Sequence, residues 1–200
     1  DETVSLVKSI DAPLQIKVYL QGEFPAEFKR IQVETNQFLE ELNALNDLVR
    51  FRFIDPLSNT KALIEKGIQP SRLTVQEGGK VSEAVIFPWA VINYKDKEEN
   101  VSLLVNSTAP SQEQQLQNSI ENLEYEFASA IHKVIEEKTK KIAILKGNGQ
   151  PEDIYQFSFL KKLGEYYRLA EFTLDSVEKQ PVKTLNELLQ YDLSIITKPS

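Results

Sequence analysis

Hydrophobic and polar positions change period several times along the chain, and the changes mark its elements. From Gln15 to Leu20, Ile16, Val18 and Leu20 alternate with Lys17 and Tyr19, the period-two pattern of a half-buried strand. Gly22 turns the chain, and Pro25 suits the first turn of a helix. Phe28, Ile31, Thr35, Phe38, Leu42 and Leu45 then recur at spacings of three and four, which predicts one long amphipathic helix. Val49, Phe51 and Phe53 alternate with Arg50 and Arg52, a second strand ending near Asp55-Pro56. Strand, helix and strand at this spacing predict a βαβ unit with parallel pairing and a right-handed crossover.

A short helix is expected over 60–66, stopped by Gly67. Strands are expected over 73–76, 81–94 and 101–105, separated by Gly78-Gly79 and by a charged turn over 95–100. They read as an antiparallel meander beside the βαβ unit, with Pro88 at an edge, a bulge or a break. Pro110 and Ser111 open the longest predicted helix, Ser111 and Gln114 forming a capping box. Its stripe of Leu116, Ile120, Leu123, Phe127, Ile131 and Val134 runs to about Lys138, a length on the order of 40 Å. A coiled-coil partner or the protein's own sheet would each cover that stripe.

The last sixty residues restart with strands over 142–145, 169–174 and 193–196, and helices over 151–166 and 185–189. A doubly wound sheet of order 2-1-3 puts the 142–145 strand in the middle. Leu193, Ile195 and Ile196 make the last strand apolar on both faces. It therefore reads as an interior strand whose free edge is covered by another chain or by the N-terminal sheet, or else is poorly ordered. The expected organisation is an α/β subdomain with a β-meander over 1–108, a connecting helix over 109–140 and the beginning of a doubly wound parallel sheet over 141–200.

Composition narrows the function. A net charge of −7 with scattered Lys and Arg disfavours a nucleic-acid surface. The densest basic group, Lys138, Lys140 and Lys141, reads as a solvated helix end. With no Cys there is no disulfide, thiolate zinc site or thiol nucleophile. The longest nearly apolar run, Ala84 to Ile92, is broken by Pro88 and falls well short of the about twenty residues of a membrane span. The chain starts at Asp1 without any Met and reads as an excised piece.

Candidate chemistry is sparse. The loop Gly147-Asn148-Gly149-Gln150 follows a strand and precedes a helix, where α/β sheets hold ligands. Glu152 replaces the third glycine of a dinucleotide fingerprint, and with Asp153 it sets negative charge where a phosphate would sit, so a tight turn is the simpler reading. His132, the single histidine, has no partners at metal-binding spacing and reads as a helix-surface residue. The adjacent acid pairs Glu40-Glu41, Glu98-Glu99 and Glu136-Glu137 diverge on a helix or strand and read as solvated. Phe87-Pro88-Trp89, with Tyr94 nearby, concentrates aromatic surface at a strand break, either as core or as a partner-binding anchor. No catalytic residue, metal site or cofactor is expected.

A series of segments carries a family resemblance. Ile10-Asp11-Ala12-Pro13 leads into IKVYL, followed by GEFPAEFKR, FRFIDP, IFPWAVINY, QLQNSIENLEYEFASAIHKV and KIAILKGNG. In this order, from about Leu6 to Pro199, they resemble the GldG-type auxiliary subunits of ABC transporters, associated with gliding motility in Bacteroidetes-like bacteria. The resemblance implies a periplasmic region of an inner-membrane protein, anchored by segments outside this stretch. Its implied partners are a permease subunit and, through it, an ATPase subunit. It also implies a thioredoxin-like first half without CxxC and a non-catalytic, glutamine-amidotransferase-like start over the last sixty residues. Related sequences often read Gly-His-Gly-Glu where this one has Gly147-Asn148-Gly149-Gln150, so proton transfer at the loop is not expected. The expected role is protein–protein assembly. The alternative is a solute- or glycan-binding module using the Gly147 to Gln150 loop.

Overall fold

The computed structural model describes residues 2–22, 26–77, 80–105, 111–147, 153–173, 177 and 179–197. It is a mixed α/β protein that divides into two compact units, residues 1–135 and 136–200.

In the first unit, α1 (Glu2–Lys8) leads into β1 (Leu14–Val18), α2 (Ala26–Leu45) and β2 (Val49–Phe53). β1 and β2 pair in parallel as the strand-helix-strand order predicts, Leu14 opposite Val49 and Val18 opposite Phe53. A 3-10 turn, Pro56–Asn59, is capped by Asp55, whose side chain accepts from the Leu57 N–H at 2.9 Å. Next comes α3 (Thr60–Glu65), which ends where Gly67 adopts φ +81°. There Gly67 N donates to Ile64 O and Ile68 N to Leu63 O, and the buried Ile68 and Leu63 belong to one apolar cluster. That is a Schellman stop, and it needs a residue that tolerates the left-handed region.

The middle strands depart from the expected meander. β3 (Ser71–Glu77) and β4 (Lys80–Ile86) form a separate two-stranded hairpin. β5 (Trp89–Tyr94) and β6 (Lys97–Ser102) instead join the βαβ strands in one mixed sheet of order β2-β1-β5-β6. Pro88 sits at the break between β4 and β5: Trp89 N donates to Phe87 O, and Leu103 N to Pro88 O. The turn before β6 is also tighter than its charges suggest. Lys95 takes φ +53° in a two-residue turn, and Lys97 pairs directly with Tyr94. Glu98 and Glu99 tolerate a strand because Lys66 and Lys133 meet them, at 2.7 Å and 3.2 Å.

The long helix is two helices, α4 (Gln112–Glu121) and α5 (Leu123–Ile135), both in the first unit. Ser111 caps α4 by accepting from Gln114 N at 3.2 Å, but the Gln114 side chain turns to Asn118 rather than closing the box. Asn122 interrupts the rod: its Nδ2 donates to Asn118 O at 2.7 Å while its backbone caps α4. Leu116, Leu123, Phe127, Ile131 and Val134 are buried against this unit's own sheet and helices, the second of the two expected coverings. Phe127 and Phe38 pack at 5.6 Å between ring centroids.

In the second unit, β7 (Lys141–Lys146), α6 (Asp153–Tyr166), β8 (Arg168–Thr173), α7 (Pro181–Leu188) and β9 (Leu193–Ile195) build a parallel sheet of order β8-β7-β9. This is the expected 2-1-3 order, with Ile142, Ala143, Ile144 and Leu145 buried in its central strand. β9 is nevertheless an end strand, and Leu193 and Ile196 are 54% and 51% exposed. The order stands on the register of the paired strands, and no described strand supplies the cover expected over the free edge of β9. The basic group is not a helix end: Lys138 donates to Gly164 O at 2.5 Å, and Lys141 opens β7.

Candidate functional site

Phe87-Pro88-Trp89 is built into the first unit. Phe87 is 1% exposed and packs with Leu63, Ile68 and Val91; Pro88 is buried beside it. Trp89 is half-buried against this cluster, and its Nε1 donates to Gln69 O at 2.9 Å. The indole thereby clasps the segment after α3 to the sheet. Of the three residues, only Trp89 keeps an edge toward solvent.

Of the candidate ligand loop, Gly147 is described, with φ +91° directly after β7, while Asn148, Gly149 and Gln150 lie outside the described residues. The left-handed backbone accounts for glycine there. Gly147 leaves the carboxyl end of the central strand, between β8 and β9, which is the switch point of the sheet. A cavity of about 290 Å³ lies at the opposite end of the strands, lined by Lys141, Arg168, Leu169, Ala170, Gln190 and Tyr191. Lys141 and Arg168 are register partners at the start of β7 and β8, so this cavity does not involve the Gly147 turn.

The charged clusters hold the fold together. Glu98 receives Lys66 Nζ on both carboxylate oxygens and Asn93 Nδ2 at 2.8 Å. These bonds, Lys66 first, hold its carboxyl below the usual range. Asn100 Nδ2 donates to Lys66 O at 3.1 Å, so the end of α3 is fastened to β5 and β6. His132 is half-buried on α5, and among the described residues no group of three His, Asp or Glu side chains is placed to hold a metal. No described helix is long and apolar enough to cross a membrane.

The second unit carries apolar surface that the hydrophobic pattern of the sequence does not reveal. Of the sixteen exposed large hydrophobic residues among those described, ten lie in 136–200, a third of the chain. On α7 and at its C-cap, Val182, Leu185 and Leu189 are 71%, 56% and 80% exposed and follow the i, i+3, i+7 spacing of one helix face. On α6, Gln156 is buried and Leu160 and Leu163 are half-buried, while Ile154, Tyr155, Phe157 and Phe159 face solvent. A helix apolar on more than one side is ordinarily enclosed by protein. The face of Val182, Leu185 and Leu189 is exposed apolar surface of the kind that marks an interaction site.

Residues 1–93, just under half of the chain, match the sequence profile of a domain of unknown function (DUF7088). No curated protein and no solved structure matches the chain.

Proposed function

We propose that this chain is the periplasmic part of a GldG-type ABC transporter auxiliary subunit, acting without catalysis by assembling with a permease and, through it, an ATPase. The observation that carries the assembly reading is the concentration of exposed apolar side chains on α6, α7 and β9. Fully burying one such side chain is worth roughly 1.5–3 kcal/mol, so a contact that covers several of them favours association. The order of sequence segments named above supports the choice of transporter family. Affinity purification of the intact protein from detergent-solubilised membranes tests it. Retention of a polytopic permease and a nucleotide-binding subunit is the expected result. Recovery of the intact protein without either would overturn it.

A second reading rests on the position of Gly147 at the switch point of the second sheet. There the loop through Gln150 would hold a small solute or glycan. Chemical-shift changes at Gly147 on titration with a glycan or solute panel would favour this reading; an unchanged spectrum would remove it.

A further inference from the structure

The outer edge of β2 combines three features that nothing above uses. First, β2 is an end strand of the mixed sheet. Its parity follows from its bonds: Leu48 O accepts from Leu14 N, and Ile54 N donates to Val18 O, so even-numbered residues turn their backbone groups toward β1. Val49 turns outward, and its groups are taken by Asn46 O and Asn43 Nδ2. Phe51 and Phe53 are therefore the next positions whose backbone groups turn outward, and no described strand lies on that side of β2.

Second, the exposed side chains of Arg50 and Arg52 stand on one face of the sheet, opposite Gln15 and Lys17 in register. Among the described residues neither arginine has an acidic partner. Glu98, the acid on the same face, is held by Lys66 and Asn93. Like charges directly opposite, here Lys17 and Arg52, are destabilising. Charged side chains on an edge strand discourage indiscriminate pairing, and two arginines leave an acidic strand as the neighbour they tolerate. Third, Phe51 and Phe53 form a half-buried edge-to-face pair on the other face, with centroids 6.4 Å apart.

We propose that the outer edge of β2 docks an extended acidic segment of a partner protein, with acids beside Arg50 and Arg52 and apolar side chains beside Phe51 and Phe53. The segment adds as a further strand: main-chain bonds at Phe51 and Phe53 supply affinity, and the alternation supplies register. The inference rests on the assembly reading and names one surface for it. It is separable from that reading, because permease retention by the intact protein does not depend on which edge is used.

The test is a short dye-labelled peptide alternating glutamate with valine, titrated onto the 200-residue chain. A block arrangement of the same composition, a lysine–valine peptide and phosphatidylglycerol vesicles serve as comparisons. The alternating acidic peptide is expected to bind, and Arg50→Glu/Arg52→Glu to weaken it about tenfold or more, on the order expected for reversing two close charges. Amide exchange at Phe51 and Phe53 is expected to slow while that at Arg50 and Arg52 stays unchanged. If the double reversal does not melt cooperatively, Arg50→Gln/Arg52→Gln takes its place. Equal affinity for the block peptide, no loss in the variant, or protection away from β2 overturns the inference. Vesicle binding without peptide binding also overturns it and assigns the face to lipid headgroups. Peptide failure with permease retained removes this edge alone; permease loss with peptide bound removes the transporter reading alone.

Discussion

The hydroxyl of Tyr94, on the buried strand β5, donates to the carboxylate of Asp11, which lies between α1 and β1. Lys95 meets the same carboxylate at 3.2 Å and lies over the Tyr94 ring. The three residues pin the N-terminal segment to the β5–β6 hairpin across more than eighty positions of sequence.

The bonds from Tyr94 and then Lys95 hold the Asp11 carboxyl below its ordinary value, and Asp11, then Tyr94, raise Lys95. A depressed carboxyl contributes stability above its unfolded pKa and loses it as pH falls through the folded one. A raised lysine contributes below its unfolded pKa and loses it as pH rises through the folded one. The contribution therefore spans neutral pH and fades at both ends. Tyr94→Phe keeps the buried ring and removes the first bond, so the Asp11 midpoint moves up toward the ordinary carboxylate range. A carboxyl NMR titration reads this directly; an unchanged midpoint contradicts the assignment.

Gly67→Ala keeps the space around the site open, since a Cβ there meets nothing within 4 Å. The cost is conformational, from φ +81°. We expect a loss of about 1 kcal/mol in chemical denaturation. A neutral outcome would mean that α3 ends by another route.

Phe127 is fully buried and packs on Phe38, joining α5 to α2. Phe127→Ala should cost about 3–5 kcal/mol. Phe127→Leu should cost clearly less, by the same denaturation measurement. Comparable losses would indicate that the ring contact is not filling this part of the core.

Much of this architecture is legible in the residues. The period-two runs located β1 and β2, the three-four stripe located α2, and the buried run Ile142 to Leu145 located the centre of the second sheet. What was not legible depended on distant partners. Glu98 and Glu99 looked like turn residues because Lys66 and Lys133, far along the chain, are what make a strand acceptable there. Asn122 breaks the long helix through a local side-chain bond that the apolar stripe does not record. The solvent-facing stripe of Val182, Leu185 and Leu189 has the spacing of any buried helix face, and only the fold shows that nothing described covers it.

Trp89 separates a structural role from an anchoring one. Trp89→Phe keeps a ring against Leu63, Ile68 and Val91 but deletes the bond to Gln69 O. A loss of about 1 kcal/mol is expected from circular-dichroism melts. An unchanged melt together with weakened subunit association would instead make the indole a partner anchor.

The most direct test of the central claim places charge on the exposed apolar faces of the second unit. Phe157→Glu and Leu189→Glu, at positions 63% and 80% exposed, are introduced together into the intact protein of the proposed assembly. The quantity measured is the amount of permease recovered with it after affinity purification. The account predicts a normal thermal melt of the variant 200-residue chain and loss of the permease from the purified intact protein. Permease recovery at the level of the unsubstituted protein, with the melt unchanged, would contradict it.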